Sequence, residues 1–399
     1  MKKAGLLPLS ILISISCIGQ DIGTNIERSR LKYKIKSETT FSLGYHNRIL
    51  SLKDIQDGNY LLDIQVVDPG GLPTNYKDFL VKINQEGDTV ETKQIITPNE
   101  FPSSYIEFGN YYYGIRIDSR TMGGYSKDFL NKYDKNWNLI WSKNINKPKW
   151  PDGNTIIRLI KNNRLLVIAN EWKSNNHQGI TISKYDLNGS LISSKLLSEN
   201  IHCNPISITQ SNNSYFLTAD KYNDKTHVNS LWMIKLNTDG DTIWSKTYQD
   251  FYPKQTILTA KNELVIYGSN YPSFESKNEN SEFLKVLMLD SNCNLKWQKE
   301  INRNWYESPG NMIETKDGHF LFSSFIIPTK DNREYTYLFE LDENGDMTYE
   351  NKFEYSLGTQ SIPLLLKGNE QVIMISQKWI GKFGEPFHDI ILLTKLSLN

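Results

Sequence analysis

Histidine is the side chain best suited to moving protons or ligating metals near neutral pH, and this chain has six. His46, His177, His202, His227 and His388 fall in polar stretches between apolar runs, and His319 follows Asp317-Gly318 in a turn-forming stretch. None stands at the HxH or HExxH spacing that would put two ring nitrogens on one ion, so no metal site is expected. Large aromatics form the second group. Trp150, Trp172, Trp305 and Trp379 lie in dissimilar connecting segments rich in Pro, Gly, Asn and aromatics, and Tyr222 and Tyr252 are grouped with them. Flat rings around a depression suit stacking on a sugar or a peptide, so these six are the candidate ligand-binding residues. The same rings could equally pack beneath their own loops. The chain has no Gly-rich phosphate loop, no GxSxG, and no Cys and His spaced as a nucleophile pair. No catalytic residue and no cofactor is assigned from these patterns.

The elements that must position these residues come from a repeat. Its clearest copy is residues 236–246, Leu-Asn-Thr-Asp-Gly-Asp-Thr-Ile-Trp-Ser-Lys. Related copies begin at Ile83, Tyr133, Tyr185, Leu289 and Leu341. A glycine slot falls at Gly87, Trp137, Gly189, Gly240, Cys293 and Gly345, a period of about 50 residues that marks one supersecondary unit used repeatedly. Within a copy, an apolar residue and Asp or Asn end one strand. Asn-Gly or Asp-Gly supplies positive φ for a tight turn, and an alternating strand follows. An aromatic slot four residues after the glycine holds Trp141, Trp244, Trp297 and Tyr349, but Glu91 and Ser193 in the other two copies. A ring there is expected to pack one unit against the next.

Upstream of each hairpin, a polar turn precedes an apolar run, with a short strand before it. Such runs occur near Tyr60, Tyr112, Leu166, Phe216, Val265, Phe320 and Ile373. Four short strands per unit of this length predict an all-β, seven-bladed β-propeller with four-stranded blades. Only six complete closing hairpins are present. The missing fourth strand of the last blade is expected from the N-terminal region, around residues 30–36, so that the ring closes by pairing the two ends of the chain. The expected organisation is an export signal at 1–19, a short linker at 20–29 and the propeller at 30–399.

The export signal is read from Lys2 and Lys3 followed by an apolar stretch at 4–16 that is too short to span a bilayer. Two processing routes stay open. Ser14-Ile15-Ser16-Cys17 resembles a lipobox that would make Cys17 the lipidated residue; cleavage after Gly19 is the other. Both imply export to the cell envelope or beyond, with membrane attachment only through lipid on Cys17. Acidic and basic residues balance at 45 each, giving no net field to draw nucleic acid. Cys203 is expected in a loop between blades and Cys293 in a hairpin turn. Those positions lie on opposite faces, so no disulfide between them is expected.

The Leu-Asp-x-Asn-Gly-x-x-x-Trp hairpin resembles the tryptophan-docking repeat of quinoprotein-type propellers, and is similar also to exported propellers of Bacteroidetes-type bacteria. In the quinoprotein enzymes this resemblance implies an axial quinone, a calcium ion and often a disulfide between adjacent cysteines; this chain has no adjacent cysteines. The favoured reading is a non-catalytic exported or cell-envelope propeller that binds a glycan, a peptide or an envelope protein through its long loops. The alternative is a propeller enzyme, either a quinoprotein-like oxidoreductase or a carbohydrate-active hydrolase or lyase, with an axial site on the same face.

Overall fold

The computed structural model describes residues 33–41, 46–54, 59–67, 76–84, 89–95, 104–118, 127–145, 155–173, 177–197, 202–223, 228–270, 283–303, 306–327, 335–353, 364–367, 371–380 and 388–398. The chain is an all-β propeller of four-stranded antiparallel sheets. Six sheets each use four consecutive strands. They are β2 (His46–Asp54), β3 (Tyr60–Val67), β4 (Tyr76–Ile83) and β5 (Thr89–Ile95); then β6 (Ser104–Phe108), β7 (Tyr111–Asp118), β8 (Lys127–Asp134) and β9 (Leu139–Asn144). Next come β10 (Thr155–Ile160), β11 (Arg164–Lys173), β12 (His177–Tyr185) and β13 (Leu191–Leu196), followed by β14 (His202–Ser211), β15 (Ser214–Asn223), β16 (Val228–Asn237) and β17 (Thr242–Gln249). The last two of this kind are β18 (Tyr252–Leu258), β19 (Leu264–Ser269), β20 (Leu284–Leu289) and β21 (Leu295–Ile301), and β22 (Tyr306–Glu314), β23 (Phe320–Ile327), β24 (Tyr335–Leu341) and β25 (Met347–Phe353). A further sheet combines β26 (Leu364–Lys367), β27 (Gln371–Ile380) and β28 (His388–Leu398) with β1 (Tyr33–Phe41) from the other end of the chain, in the order β1-β28-β27-β26.

The first strands converge. β6, β10, β14, β18, β22, β26 and β2 touch in that succession, so the sheets radiate from a common axis with their first strands innermost. One core cluster joins Tyr60, Leu62 and Ile64 of the first of these sheets to Ile373, Ile375 and Ile391 of the sheet closed by β1. The pairing of β1 with β28 runs from Tyr33↔Leu398 to Phe41↔Ile391. The N-terminal strand therefore takes the outermost place, as expected; residues 30–32 lie outside the described residues, and the pairing continues to Phe41.

Between sheets the core is built from both faces of the second and third strands. Leu264–Ser269 and Leu284–Leu289 are buried along their whole length, because each of their faces meets a neighbouring sheet. Fourth strands are far more exposed. Leu191–Leu196 is almost wholly exposed, and Ile243 is 54% exposed.

The hairpin turns between third and fourth strands are longer than the tight turn read from Asn-Gly. In the first fully described one, the Trp137 N–H donates to the Asp134 carbonyl (3.0 Å) and the Asp134 N–H donates to the Asn138 carbonyl (3.0 Å). The Asp134 carboxylate accepts the N–H groups of Asn136 and Asn138, both at 2.8 Å. Asp186, Asn237, Asp290 and Asp342 cap their turns in the same way. The slot residue is left-handed in all five turns: Trp137, Gly189, Gly240, Cys293 and Gly345 have φ between 58° and 84°. A bulge follows in the ladder, as this class of hairpin requires.

The glycine has a second role. The fourth-strand aromatic of one sheet lies on the turn of the next: a Cβ on Gly189 would stand 2.9 Å from the Trp141 ring, and one on Gly345 3.0 Å from Trp297. The Trp297 indole N–H also donates to the Glu343 carbonyl (2.8 Å). Trp244 packs in the cluster that contains Cys293, whose carbonyl accepts from Tyr248 Oη (2.8 Å) and Lys246 Nζ (3.0 Å). Where the slot residue is small or charged, the contact is rebuilt. Opposite Ser193, Gly240 meets Leu166, while Lys184 pairs with Asp241 at 2.7 Å. Opposite Glu91, the glycine itself is replaced by Trp137, which stacks on Tyr112 (4.1 Å, 2° between planes), and Lys93 donates to the Asn136 carbonyl.

Cys203 is not in a loop. It is the second residue of β14 and fully buried, because the alternating burial of Cys203 and Pro205 begins the strand at His202, within the stretch expected to be loop. Cys203 and Cys293 are both free thiols. Burial pushes the Cys293 thiol up to about 11. Among the described residues, no helix is long and apolar enough to cross a membrane.

Two outcomes follow for stability. Gly318 and Gly345 have nearly the same φ, 78° and 84°, but a Cβ on Gly318 meets nothing within 4 Å. Gly318→Ala is expected to cost only the left-handed backbone term, about 1–2 kcal/mol. Gly345→Ala should cost roughly 1–3 kcal/mol more through the displaced indole, and Trp297→Ala should abolish that excess, all read from denaturant midpoints. The second outcome concerns acid. Backbone and side-chain hydrogen bonds hold the Asp134, Asp186 and Asp290 carboxyls below their ordinary value, and in Asp342 they outweigh burial to the same effect. Groups depressed in the folded state stabilise it above their unfolded pKa and cease to do so as pH falls through the folded one. Unfolding free energy should therefore decline below about pH 4, with a shallower decline in Asp342→Asn.

Candidate functional site

The hairpin turns and the turns between first and second strands share one face, the turn face. The other face receives the ends of the second strands and the starts of the first and third, and is the loop face. On the loop face, polar side chains of two neighbouring sheets join near the axis. In β14 and β15 the ladder sets Asn204 opposite Asp220 and His202 opposite Tyr222. The Asn204 backbone N–H donates to Asp220 Oδ1 (2.5 Å) and Asn204 Nδ2 donates to Asp220 Oδ2 (3.2 Å). From the preceding sheet, Asn170 Nδ2 donates to Asn204 Oδ1. The Asn204 amide is thus held from both ends.

Burial grades outward through this group. Asn170 and Asp220 are each 5% exposed, while Asn204, His202 and Tyr222 are half-buried. The His202 and Tyr222 rings meet edge to face with centroids 6.3 Å apart. Burial pushes the Asp220 carboxyl up to about 6, against the hydrogen bonds from Asn204 and the nearby His202. Chemically, the arrangement offers an oriented amide beside a phenol and an imidazole, backed by a carboxyl that can exchange a proton near neutrality.

Asn170 and Asp220 occupy the same register position in successive repeats, each directly after a buried alanine, Ala169 and Ala219. A polar residue recurring where the second strand is otherwise apolar was a readable signal. The pairing through Asn204 was not, because it depends on which sheet follows which in space.

The six aromatics named from the sequence fall into three groups. Trp150 and Trp305 lie outside the described residues. Trp172, Tyr222 and Trp379 stand near the ends of the second strands β11, β15 and β27, so they belong to strands and not to loops. Tyr252 opens β18. Of these, Tyr222 is brought against another candidate, His202. Trp172 holds the position in β11 that Tyr222 holds in β15, two residues beyond Asn170 and Asp220 respectively. Four of the histidines expected in loops, His46, His177, His202 and His388, are first residues of strands, since pairing begins earlier than the polar composition suggested. His227 lies outside the described residues. His319 sits in a turn as expected, with Nδ1 2.7 Å from the buried Glu340 carboxylate. Among the described residues, no three or more His, Cys, Asp or Glu side chains are grouped to hold a metal ion.

A second buried polar group supports the segment that leads into β22. Arg303 Nη1 donates to both Glu307 oxygens (2.7 and 2.9 Å), Ser324 Oγ donates to Glu307 Oε1 (2.5 Å), and the guanidinium lies 3.9 Å from the centre of the Tyr337 ring. Burial pushes Glu307 up despite the adjacent Arg303. With every Glu307 contact internal, this pair is an anchor.

The geometry defines a β-propeller. No family description and no curated protein matches the sequence. Among solved structures, the polysaccharide lyase Uly1 is similar at a TM-score of 0.50 and 8% identity, covering 88% of this chain and 90% of its own. Prolyl oligopeptidase B from Galerina marginata, bound to a 35mer substrate, is similar at a TM-score of 0.50 and 9% identity, covering 89% of this chain and 51% of its own. BBS1N in complex with ARL6DN covers 92% and 97% at a TM-score of 0.46 and 10% identity. At these identities the likeness is one of fold.

Asp220 gives the site a pH signature. Its folded pKa lies above the unfolded value, so the protonated form is the one favoured by folding, and stability should fall as pH rises from about 4 to about 6. A shift of about two units corresponds to about 3 kcal/mol. Asp220→Asn is expected to flatten that part of a stability-against-pH curve; an unchanged slope would show that Asp220 is not its source.

Proposed function

We propose that the protein is an exported, non-catalytic propeller, its sheets closed as a seven-bladed ring, that binds a glycan on its loop face. The observation that supports this most is the Asn204 amide, fixed by Asn170 and Asp220 and set beside the His202 and Tyr222 rings. Sugar recognition calls for fixed donors and acceptors that match hydroxyl groups, next to a ring face for the C–H side of the pyranose. Pre-orientation lowers the entropy lost when a flexible hydroxyl-bearing ligand is ordered. Peptide or envelope-protein ligands would use the same donors and rings and are the competing occupants of this face.

Export belongs to the same reading. Residues 1–19 would direct it, with either lipid on Cys17 or cleavage after Gly19. The mass of the mature N-terminal peptide from native cells separates the two.

A catalytic reading rests on one observation, the Asp220 carboxyl raised to about 6 beside His202. Both its oxygens are engaged by Asn204 and it is 5% exposed, which favours a supporting role over proton transfer to a ligand.

Binding measured by calorimetry against oligosaccharides of several linkages tests the proposal. Tyr222→Ala and Asn204→Ala are expected to weaken the bound class about 10- to 100-fold, equivalent to about 1.4–2.8 kcal/mol, with the ligand recovered intact. Retention by a peptide or protein alone would sink the glycan assignment. Turnover that disappears in Asp220→Asn while binding persists would establish the catalytic reading.

A further inference from the structure

In a radial sheet, strand side chains point toward the neighbouring sheets, and the edge of the first strand faces the axis. A residue reaches the axis most directly when a bulge takes it out of the alternation. Four inner strands carry such bulges, between Ile49 and Ser51, Pro205 and Ser207, Pro253 and Gln255, and Pro309 and Met312. The three prolines are tolerated because one edge of an innermost strand is unpaired. They stand on one level, opposite Ala219, Gly268 and Ser324 at equivalent register positions. The displaced residues are Leu50, Ile206, Lys254 and the pair Gly310-Asn311.

Lys254 is the charged member of this set. It is exposed to water, yet the surrounding protein is dense enough that desolvation lowers its pKa. Both fit a side chain that the bulge after Pro253 turns toward the axis, between the inner strands. No hydrogen bond or ion pair joins Lys254 to another described residue. On the inner strand two sheets earlier, Arg158 is likewise exposed and lowered by desolvation. It reaches across to the next inner strand, where Nε and Nη2 donate to the Ile208 carbonyl (3.2 and 3.0 Å), a neutral acceptor that leaves its charge uncompensated.

Among the described residues, no acid of the inner strands answers these cations. Strands β10, β14 and β18 contain no Asp or Glu. On the adjoining inner strands, Glu307 is held by Arg303, Glu314 accepts the Ala260 N–H, and Glu107 pairs with Lys135. Lys254 lies close to the level of Asn204, whose successors Pro205 and Ile206 match Pro253 and Lys254 in register.

We propose that Lys254 forms an anion-binding position at the axis beneath the loop face, with Arg158 a second cation two sheets away and three register positions nearer the turn face, and that the glycan taken there is an acidic one, bearing carboxylate or sulfate groups. This rests on the glycan reading above and narrows its ligand class. Cations without an acidic partner, ringed by protein of low dielectric, focus field on an approaching anion far more than surface lysines do.

Calorimetry on the whole exported chain at low salt provides the test, using an oligogalacturonate, a neutral gluco-oligosaccharide of equal length, and inorganic phosphate. The oligogalacturonate should bind at least 10-fold more tightly than the neutral sugar. Lys254→Gln should remove about that factor, Arg158→Gln should remove part of it, and Lys254→Arg should restore it, with melting temperatures unchanged. Raising the salt should shrink the difference. Equal affinity for acidic and neutral sugars, with both still dependent on Asn204, would overturn this inference and leave the glycan reading standing. Binding of phosphate without the oligogalacturonate would overturn the acidic-sugar assignment. No binding of any probe would overturn both.

Discussion

A fourth strand in a radial sheet has one unpaired edge and one face turned toward the next sheet's periphery, where little else can cover it. The contact that resolves this is the seat of a fourth-strand side chain on the left-handed residue of the following turn. Trp141 on Gly189 and Trp297 on Gly345 show it directly. One glycine meets two demands there: a positive φ for the turn, and an absent Cβ where the indole lies. The Asx hydrogen bonds from Asp134, Asp186, Asn237, Asp290 and Asp342 fix the turn so that this surface is always presented. At the rim, neighbouring sheets meet through this repeated contact.

Departures from the repeat bear this out. When Trp is lost at Glu91, the next turn gives up its glycine and supplies Trp137 from its own side, at the cost of a bulky residue in a left-handed conformation. When Trp is lost at Ser193, the glycine stays and Leu166 moves into the gap. Slot and turn are thus two halves of a single packing unit, although Cys293 carries a Cβ beside Trp244 and Gly240 persists opposite Ser193.

Strand order was legible because it is local. The seven apolar runs near Tyr60, Tyr112, Leu166, Phe216, Val265, Phe320 and Ile373 all became second strands, which are buried on both faces and so carry the strongest apolar signal. First strands were read too short. Cys203 and His202 looked like loop because Asn204 and Pro205 interrupt the apolar pattern, yet Pro is at home on an edge facing the axis. The candidate site was less legible. Tyr222 and His202 were named separately from composition, but the Asn170–Asn204–Asp220 relay joins residues from two repeats, and Lys254 gains its significance only from a one-residue bulge. Properties set by neighbouring repeats in space leave little trace in the pattern of any one repeat.

The place of β1 gives the molecule a direction. As the outermost strand of its sheet, antiparallel to β28, it begins beside Leu398, at the rim of the turn face. Tyr33 therefore stands at the periphery and on the side opposite Asn204 and His202. A leash attached there would hold the disc by its lower edge. The loop face, with Asn204 and His202, would then turn away from the point of attachment, toward whatever approaches from solution.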